Sequence, residues 1–227
     1  MIQHLIVPVD GSDASWRAAD VAVALARRGD ATVDVIEVVF DQHDVAEAEA
    51  RLSERLEQHE TSGVSVTTHV RLAAESVAQA ISDEVEQHPE VTVVIASHGR
   101  GRSAALLGSV TEELLERTFG PMLVVGPHVT RSELDGQIIA TVDGSRASES
   151  VLPLAAAWGI ELGSEPWIVE VADPNAGMSG DVSESAYPAR LARKLARDSG
   201  HPAQFEVLHG EHVHDEIADF AQSILSL

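Results

Sequence analysis

Glycine and serine residues that could bind a phosphate group follow an apolar stretch in the middle of the chain. The apolar run Val91–Ala96 passes into a loop that includes Gly99 and ends at Gly108 and Ser109, where a helical pattern begins. The backbone N–H groups of such a loop, and the first N–H groups of the following helix, lack partners within the helix and can point at one anion. We therefore hypothesise that this loop holds the phosphates of a nucleotide.

A carboxylate that could bind the other end of a nucleotide follows the first apolar run, residues 4–9. Asp10 could accept a hydrogen bond from a ribose hydroxyl or from the adenine amine. The alternative is that Asp10 is only the turn residue of an Asp-Gly pair, which needs no ligand.

These residues lie in an alternation of apolar runs and helical patterns. Alternation of this kind is typical of an α/β fold with a doubly wound parallel sheet, and right-handed crossovers give five strands the order 3-2-1-4-5 or a close relative. Strands 1 and 4 are then neighbours where the chain reverses direction, so Asp10 and the glycine loop are expected to meet in one crevice. Strands are predicted at 4–9, 32–40, 64–70, 91–96 and 122–125, and helices at about 14–28, 45–59, 75–87 and 109–118.

The start of the chain recurs in its second half. IIATVDGSRAS (138–148) repeats LIVPVDGSDAS (5–15), with Val-Asp-Gly-Ser and Ala-Ser in register. The second copy continues with helices at about 146–159, 184–199 and 213–223 and strands at 165–172 and 204–208, but it has no counterpart of the fourth strand, the glycine loop, the fourth helix or the fifth strand. We therefore predict a domain of residues 1–127, a linker of 128–136 and an incomplete second domain of 137–227.

The composition limits the classes of partner. Thirty-seven acidic residues against fifteen basic ones give a formal charge of −22, and such a surface repels nucleic acid and anionic lipid. Any phosphate site must then rely on backbone amides and a few well-placed cations. Cysteine is absent, no apolar run approaches 18 residues, and the N-terminus lacks the pattern of a signal peptide. We expect a soluble, cytoplasmic protein.

The chain resembles the universal stress protein family in its tandem form. The resemblance is carried by VDGS-x-x-S, by SHGRG after the fourth apolar run, by LLGSVTEELL and by the closing PMLVV, and it covers residues 1–126 and extends to 137–227. It implies the five-stranded α/β fold and, as in many members, ATP binding through Gly, two residues, Gly, nine residues, Gly, then Ser or Thr. Here Ala96 stands at the first Gly, and eight residues instead of nine separate Gly99 from Gly108.

The resemblance also implies roles for individual residues. Pro8, Val9 and Asp10 would line the adenine and ribose side, and Val38 would pack on the base. The phosphates would contact Gly99, Gly108, Ser109, Val110 and Thr111, next to Ala96. The hydroxyls of Ser109 and Thr111 are also plausible contacts to the hydration shell of Mg²⁺.

Several of these residues also have interpretations without a ligand. Ser109 with Glu112 three residues later predicts a capping box, with Ser109 as the N-cap of the helix. Arg100 could pair with a phosphate or form only a weak surface ion pair. His98 could bond a phosphate or merely orient the loop backbone. His209, His212 and His214 lie close together, but their spacing is irregular for metal ligands on one helix.

No catalytic machinery is evident from the sequence. It has no Ser/His/Asp arrangement on a nucleophile elbow and no GxxxxGK[ST] lysine, so any ATP hydrolysis should be slow. The main prediction is a stress-response protein that binds ATP and Mg²⁺ in its first unit. The alternative is an interaction protein of the same fold that binds no nucleotide, as Ala96, the shorter loop and the incomplete second copy would allow. Members of this family pair, often through the fifth strand, so the edge of this strand should either meet another chain or be covered by residues 127–136, and we predict a homodimer.

Overall fold

The computed structural model describes residues 2–88, 90–99, 107–118, 120–129, 137–172 and 185–224. The chain divides into two compact units, Ile2–Leu134 and Asp135–Leu227.

The first unit is a parallel five-stranded sheet with the order β3-β2-β1-β4-β5. This confirms the predicted α/β fold and its strand order, with the element limits shifted by a few residues. The elements are β1 (His4–Val9), α1 (Asp13–Gly29), β2 (Thr32–Val39), α2 (Val45–Leu56), β3 (Ser65–Leu72), α3 (Val77–Gln87), β4 (Val91–Ala96), α4 (Ser109–Arg117) and β5 (Met122–Val125).

The central strands are apolar because both of their faces are covered. Every residue of β4 is buried, as are Leu5 to Val7 of β1. On one face, Ile81 of α3 and Leu114 of α4 pack against Val93 and Ile95 of β4. Burial on both faces explains why these strands read as continuous apolar runs instead of alternating ones.

The ladder between β1 and β4 is short. It pairs His4 with Val91 and ends at Ile6 and Val93, whereas the ladder between β1 and β2 continues to Val9. Pro8 has no N–H with which to extend a ladder. The carboxyl ends of β1 and β4 are therefore not paired with each other, and a crevice can open between them.

The second unit holds a parallel three-stranded sheet with the order β6-β7-β8. Its elements are β6 (Ile139–Val142), α5 (Arg146–Glu149), α6 (Leu152–Leu162), β7 (Trp167–Ala172), α7 (Ala186–Ser199), β8 (Gln204–His209) and α8 (Val213–Ile224). Its core joins Ala140 and Ile168 of the sheet to Leu152 of α6 and Leu191 of α7.

The single helix predicted at about 146–159 is wrong, because the structure has two helices there. The helix α5 ends at Glu149, and α6 begins at Leu152. Pro153 lies in the first turn of α6, where its missing N–H is harmless, but one continuous helix would set its ring against the carbonyl of Glu149. The hydroxyl of Ser150 instead donates to the carbonyl of Ala147 (2.6 Å) and closes the end of α5.

Candidate functional site

A cavity of about 240 Å³ opens at the carboxyl ends of β1 and β4, where strand order and sequence together placed the site. Most of the predicted residues line it, together with three residues that the sequence did not single out: Ser15, Val77 and Ile95. The complete lining is Pro8, Val9, Asp10, Ser15, Val77, Ile95, Ala96, Gly99, Gly108, Ser109, Val110 and Thr111.

The carboxylate of Asp10 is held in a tight turn. Its Oδ1 accepts hydrogen bonds from the amide (2.9 Å) and the hydroxyl (2.6 Å) of Ser12, and its own amide donates to Oγ of Ser15 (3.3 Å). Gly11 between them has a φ of 81°, a left-handed conformation that glycine adopts without strain. The turn therefore fixes one oxygen of the carboxylate.

The two glycines of the loop allow close contacts. A Cβ atom on Gly99 would collide with Oδ2 of Asp10, so a side chain there would require the carboxylate to move. A Cβ atom on Gly108 would lie 3.3 Å from Cα of His98, and the amide of Gly108 donates to the carbonyl of Ser97 (2.7 Å). The loop therefore returns to its own starting point at the end of β4.

The predicted capping box at Ser109 is wrong. Gly108 is the N-cap of α4, with an extended backbone (φ −70°, ψ 145°) and no side chain to accept from the helix, while Ser109 is already helical. The amides of Ser109, Val110 and Thr111 make no hydrogen bond to any residue that the structure describes. These three donors stand at the positive end of the helix, which is the arrangement that binds anions elsewhere.

The hydroxyl of Thr111 has a structural partner. It donates to the carbonyl of Ala96 (3.0 Å), and the residue is only 2% exposed. Thr111 thus fastens the first turn of α4 to the end of β4. Of the two hydroxyls expected near a metal hydration shell, the one of Ser109 is exposed.

Two of the predicted residues, Val38 and His98, are described by the structure and do not line the cavity. Val38 is half-buried and packs on the core cluster that contains Ile95. The Nδ1 atom of His98 lies 2.9 Å from Oγ of Ser97. Arg100 lies outside the described residues.

The sequence held signals for the three residues that it did not single out. Ser15 is the last serine of the repeated Asp-Gly-Ser-x-x-Ser pattern, so its recurrence could have identified it. Ile95 precedes Ala96 in the strand from which the loop leaves. Val77 begins α3, and only the packing of α3 on β4 brings it to the cavity.

Asp10 is the only charged side chain among the described residues of the lining. A phosphate in this cavity would therefore be held by backbone amides, and the carboxylate of Asp10 could bond to hydroxyl or amine donors of a ligand. The cavity therefore offers one anionic acceptor together with backbone donors, which suits a ligand that has both an anionic group and hydrogen-bond donors.

The turn of Asp10 is reproduced in the second unit. Oδ1 of Asp143 accepts from the amide of Ser145 (2.9 Å), the amide of Asp143 donates to Oγ of Ser148 (3.2 Å), and Gly144 has a φ of 84°. Hydrogen bonds from Ser148 and Ser145 lower the pKa of Asp143 to about 2. Among the residues described, no glycine loop or helix N-terminus faces this second carboxylate in the way that Gly99 and α4 face Asp10.

The chain matches the model of the universal stress protein family over residues 1–126. A universal stress protein from Archaeoglobus fulgidus DSM 4304 is 20% identical, with 98% of this chain and 84% of that one covered and a TM-score of 0.77. A putative universal stress protein from Pseudomonas aeruginosa UCBPP-PA14 is 16% identical, covers 98% and 79% of the two chains, and has a TM-score of 0.65. At these identities, both similarities show that the fold is shared and nothing further. Comparison with curated proteins gives no match.

Across the described ranges, no helix has the length and apolar character needed to cross a bilayer. Across those ranges too, no group of three or more histidine and acidic side chains is arranged to hold a metal ion.

Proposed function

The chain belongs to the universal stress protein family, and on this basis we propose that its first unit binds ATP or a related adenine nucleotide between the ends of β1 and β4. The observation that carries the proposal is that one cavity is lined both by Asp10 and by Ser109 to Thr111, whose amides make no hydrogen bond to the residues that the structure describes. Phosphates would lie at the amides and the ribose or adenine at Asp10. Mg²⁺ would accompany the phosphates, with Ser109 near its hydration shell.

The cavity encloses only part of such a ligand. Its volume of about 240 Å³ is below the roughly 300–1,000 Å³ of typical ligand sites, so some of the nucleotide would remain exposed to solvent. Affinity would then depend on a few well-placed hydrogen bonds. The residues described at the site include no general base next to a nucleophile, and we propose binding with at most slow ATP hydrolysis.

The physiological context follows from the family. We propose a cytoplasmic stress-response protein whose second unit, which repeats the turn of Asp10 at Asp143, does not hold ATP in the same way as the first. We also propose a homodimer through the edge of β5, because that strand pairs only with β4 among the described residues and an unpaired edge is a site for strand addition.

The direct test is titration of the full chain with a fluorescent ATP analogue at millimolar Mg²⁺, with displacement by unlabelled ATP. Saturable binding that ATP reverses is expected, and the purified protein should release adenine nucleotide on heating. Absence of both signals would contradict the proposal.

A second function is favoured by one specific observation. The methyl group of Ala96 lines the cavity where the family motif has glycine. If that methyl group excludes the phosphates, the protein acts through protein contacts alone. The variant Ala96→Gly separates the two proposals, because it should create ATP binding only if the methyl group is the obstacle.

A further inference from the structure

A polar cavity of about 320 Å³ lies at the amino-terminal ends of the strands of the second unit. Its lining comes from the residues before β6, from the loop between α6 and β7, and from the first residues of β7 and β8. Asp143 follows the other, carboxyl end of β6, so this cavity is not the counterpart of the nucleotide cavity in the first unit. Its volume is within the roughly 300–1,000 Å³ of typical ligand sites. The lining is Gln137, Gly163, Ser164, Glu165, Trp167 and Gln204.

The loop 163–165, which supplies three of these residues, is held in place by backbone contacts. The amide of Ser164 donates to the carbonyl of Gly159 in α6 (2.8 Å), and the carbonyl of Ser164 lies 3.2 Å from Nε2 of His201. The loop also packs tightly on the helix, since a Cβ atom on Gly159 would lie 2.8 Å from the carbonyl oxygen of Ser164. This part of the cavity is therefore formed by the fold itself, before any ligand binds.

The hydroxyl of Ser164 is buried without a good partner. The residue lines the cavity but is only 7% exposed. Its hydroxyl donates to Oε1 of Gln137 at 3.5 Å, which is longer than the usual 2.5–3.0 Å between two oxygens, and it has no other partner among the described residues. Buried polar groups in native proteins are nearly always well bonded. The cavity therefore offers a position for a further polar atom next to Ser164.

Other side chains of the lining also have unused hydrogen-bonding groups. Nε2 of Gln204 donates to Oε2 of Glu165 (2.9 Å), which holds these two side chains together. Oε1 of Gln204, Oε1 of Glu165 and Nε2 of Gln137 make no hydrogen bond to any residue that the structure describes. Glutamine amides both donate and accept, and a carboxylate accepts, so together they match a ligand that has several hydroxyl groups.

Trp167 adds an apolar surface to this polar lining. Its ring packs against Phe220 of α8, with the ring centroids 5.3 Å apart and the planes at 73°, and its backbone amide donates to the carbonyl of Ile138 (2.7 Å). The indole is thus held by neighbours and is half-buried. An aromatic ring of this kind can cover the C–H face of a sugar ring.

The charge of the lining restricts the ligand further. Among the described residues it contains one carboxylate, that of Glu165, and no cation. In a chain with a formal charge of −22, such a cavity disfavours an anionic ligand. Hydroxyl groups, in contrast, need no opposite charge and can bond to amides and to a carboxylate alike.

We propose that this cavity binds a neutral polyhydroxyl compound, a mono- or disaccharide. Hydroxyl groups of the sugar would bond to Gln137, Glu165 and Gln204, and one of them would complete the hydrogen bonding of Ser164. The C–H face of the sugar ring would lie against Trp167. The site belongs to the second unit alone and does not depend on the proposed nucleotide site.

The test is titration of the isotope-labelled full chain with maltose, observed by NMR at the indole N–H signals. The chain has three tryptophans, and Trp167→Phe identifies the signal of Trp167 by removing it. We expect the signal of Trp167 to shift saturably with a millimolar Kd, and the signal of Trp16 in the first unit to stay in place.

Variants of the lining separate specific binding from a general effect of sugar on the protein. Gln137→Ala and Gln204→Ala each remove a hydrogen-bonding group and should weaken maltose binding about three- to tenfold. Gln222→Ala replaces an exposed glutamine of α8 outside the lining and should leave the Kd unchanged. Glu165→Gln removes the charge but keeps an acceptor, so maltose binding should change by less than about threefold. Circular dichroism establishes that each variant is folded.

Three outcomes would overturn the proposal. The first is a Trp167 signal that does not shift saturably with maltose up to about 0.1 M. The second is equal maltose affinity in the wild type, Gln137→Ala and Gln204→Ala. The third is saturable binding of putrescine that Glu165→Gln abolishes, without binding of maltose, which would assign the cavity to a cationic ligand. The ATP titration reports on the first unit, so failure here is distinguishable from failure of the nucleotide site.

Discussion

Gly99 lies against the carboxylate of Asp10 so closely that a Cβ atom on the glycine would overlap Oδ2 of the aspartate. The two residues leave different strands, β4 and β1, which are neighbours in the sheet. Since Oδ1 of Asp10 is held by Ser12, the position of the carboxylate depends both on its own turn and on the glycine opposite. The contact ties the loop to the aspartate at the centre of the proposed site.

Replacing the aspartate should weaken nucleotide binding. The variant Asp10→Asn loses a charged acceptor for the ribose or the adenine amine, and hydrogen bonds of this type contribute about 1.5–3 kcal/mol, or roughly 10- to 100-fold in Kd. The measurement is a titration with a fluorescent ATP analogue. The matched control is Asp143→Asn, which removes the equivalent carboxylate of the second unit and should leave the Kd unchanged. Equal losses in both variants would contradict the assignment to the first unit.

A methyl group at position 99 should weaken ATP binding by displacing the carboxylate of Asp10. The variant Gly99→Ala forces the carboxylate to move from its turn, and overpacking of this kind costs about 1–3 kcal/mol. We expect weaker ATP binding and a less stable first unit. In a double-mutant cycle, the losses of Gly99→Ala and Asp10→Asn should not add, because both disturb the same group.

Gly126→Ala is the control for that cycle. A Cβ atom there would lie at an ordinary 3.8 Å from Val129, so binding and stability should both be preserved. Strictly additive losses for the Gly99 and Asp10 variants would show that the glycine contributes independently of the aspartate.

The stability of the protein should not depend on the hydroxyl of Ser109 at the N-terminus of α4. Ser76 caps α3 by accepting from the amide of Gln79 (3.0 Å), so Ser76→Ala should cost about 1 kcal/mol in the free energy of unfolding. Ser109 caps nothing, and Ser109→Ala should change that free energy by less than about 0.5 kcal/mol. Urea unfolding measures both. If Ser109→Ala lowered the free energy of unfolding as much as Ser76→Ala does, Ser109 would be a capping residue after all.

The carboxylate of Asp143 should titrate at low pH. Its folded pKa of about 2 lies below the ordinary value of about 3.9, so the fold favours the ionised form. Its contribution to stability is therefore fully present above about pH 4 and is lost as the pH falls through about 2. NMR titration of the side-chain carboxyl gives the midpoint, and Ser148→Ala should raise it. An ordinary midpoint in the wild type would show that the serine bonds do not persist in solution.

The pKa of Glu84 in the first unit is also shifted in a defined direction. Arg71 donates two hydrogen bonds to Glu84 (2.7 and 2.9 Å) and lowers its pKa, with burial acting in the opposite sense. The free energy of unfolding should therefore decrease as the pH falls below the ordinary pKa of a glutamate. The variant Arg71→Gln should make the free energy of unfolding depend less on pH. Unfolding measured from pH 7 to pH 3 tests this, and identical slopes in the two proteins would contradict it.

The sequence by itself determined the fold of the first unit, because short apolar runs that alternate with helical patterns are typical of a covered parallel sheet. It also determined that Asp10 and the loop at Gly99 meet, since the strand order 3-2-1-4-5 makes their strands neighbours. The repeated Asp-Gly-Ser-x-x-Ser pattern gave the same turn at Asp143, because its hydrogen bonds are local in the chain.

Only the tertiary structure decided how the side chains at the site are used. Ser109 has the residue type of an N-cap, but the return of the loop to Ser97 makes Gly108 the cap, and three amides have no partner among the described residues. Thr111 has the residue type of a phosphate contact, yet its hydroxyl bonds the carbonyl of Ala96. These outcomes depend on distances between segments far apart in the chain, which residue types and local spacing do not fix.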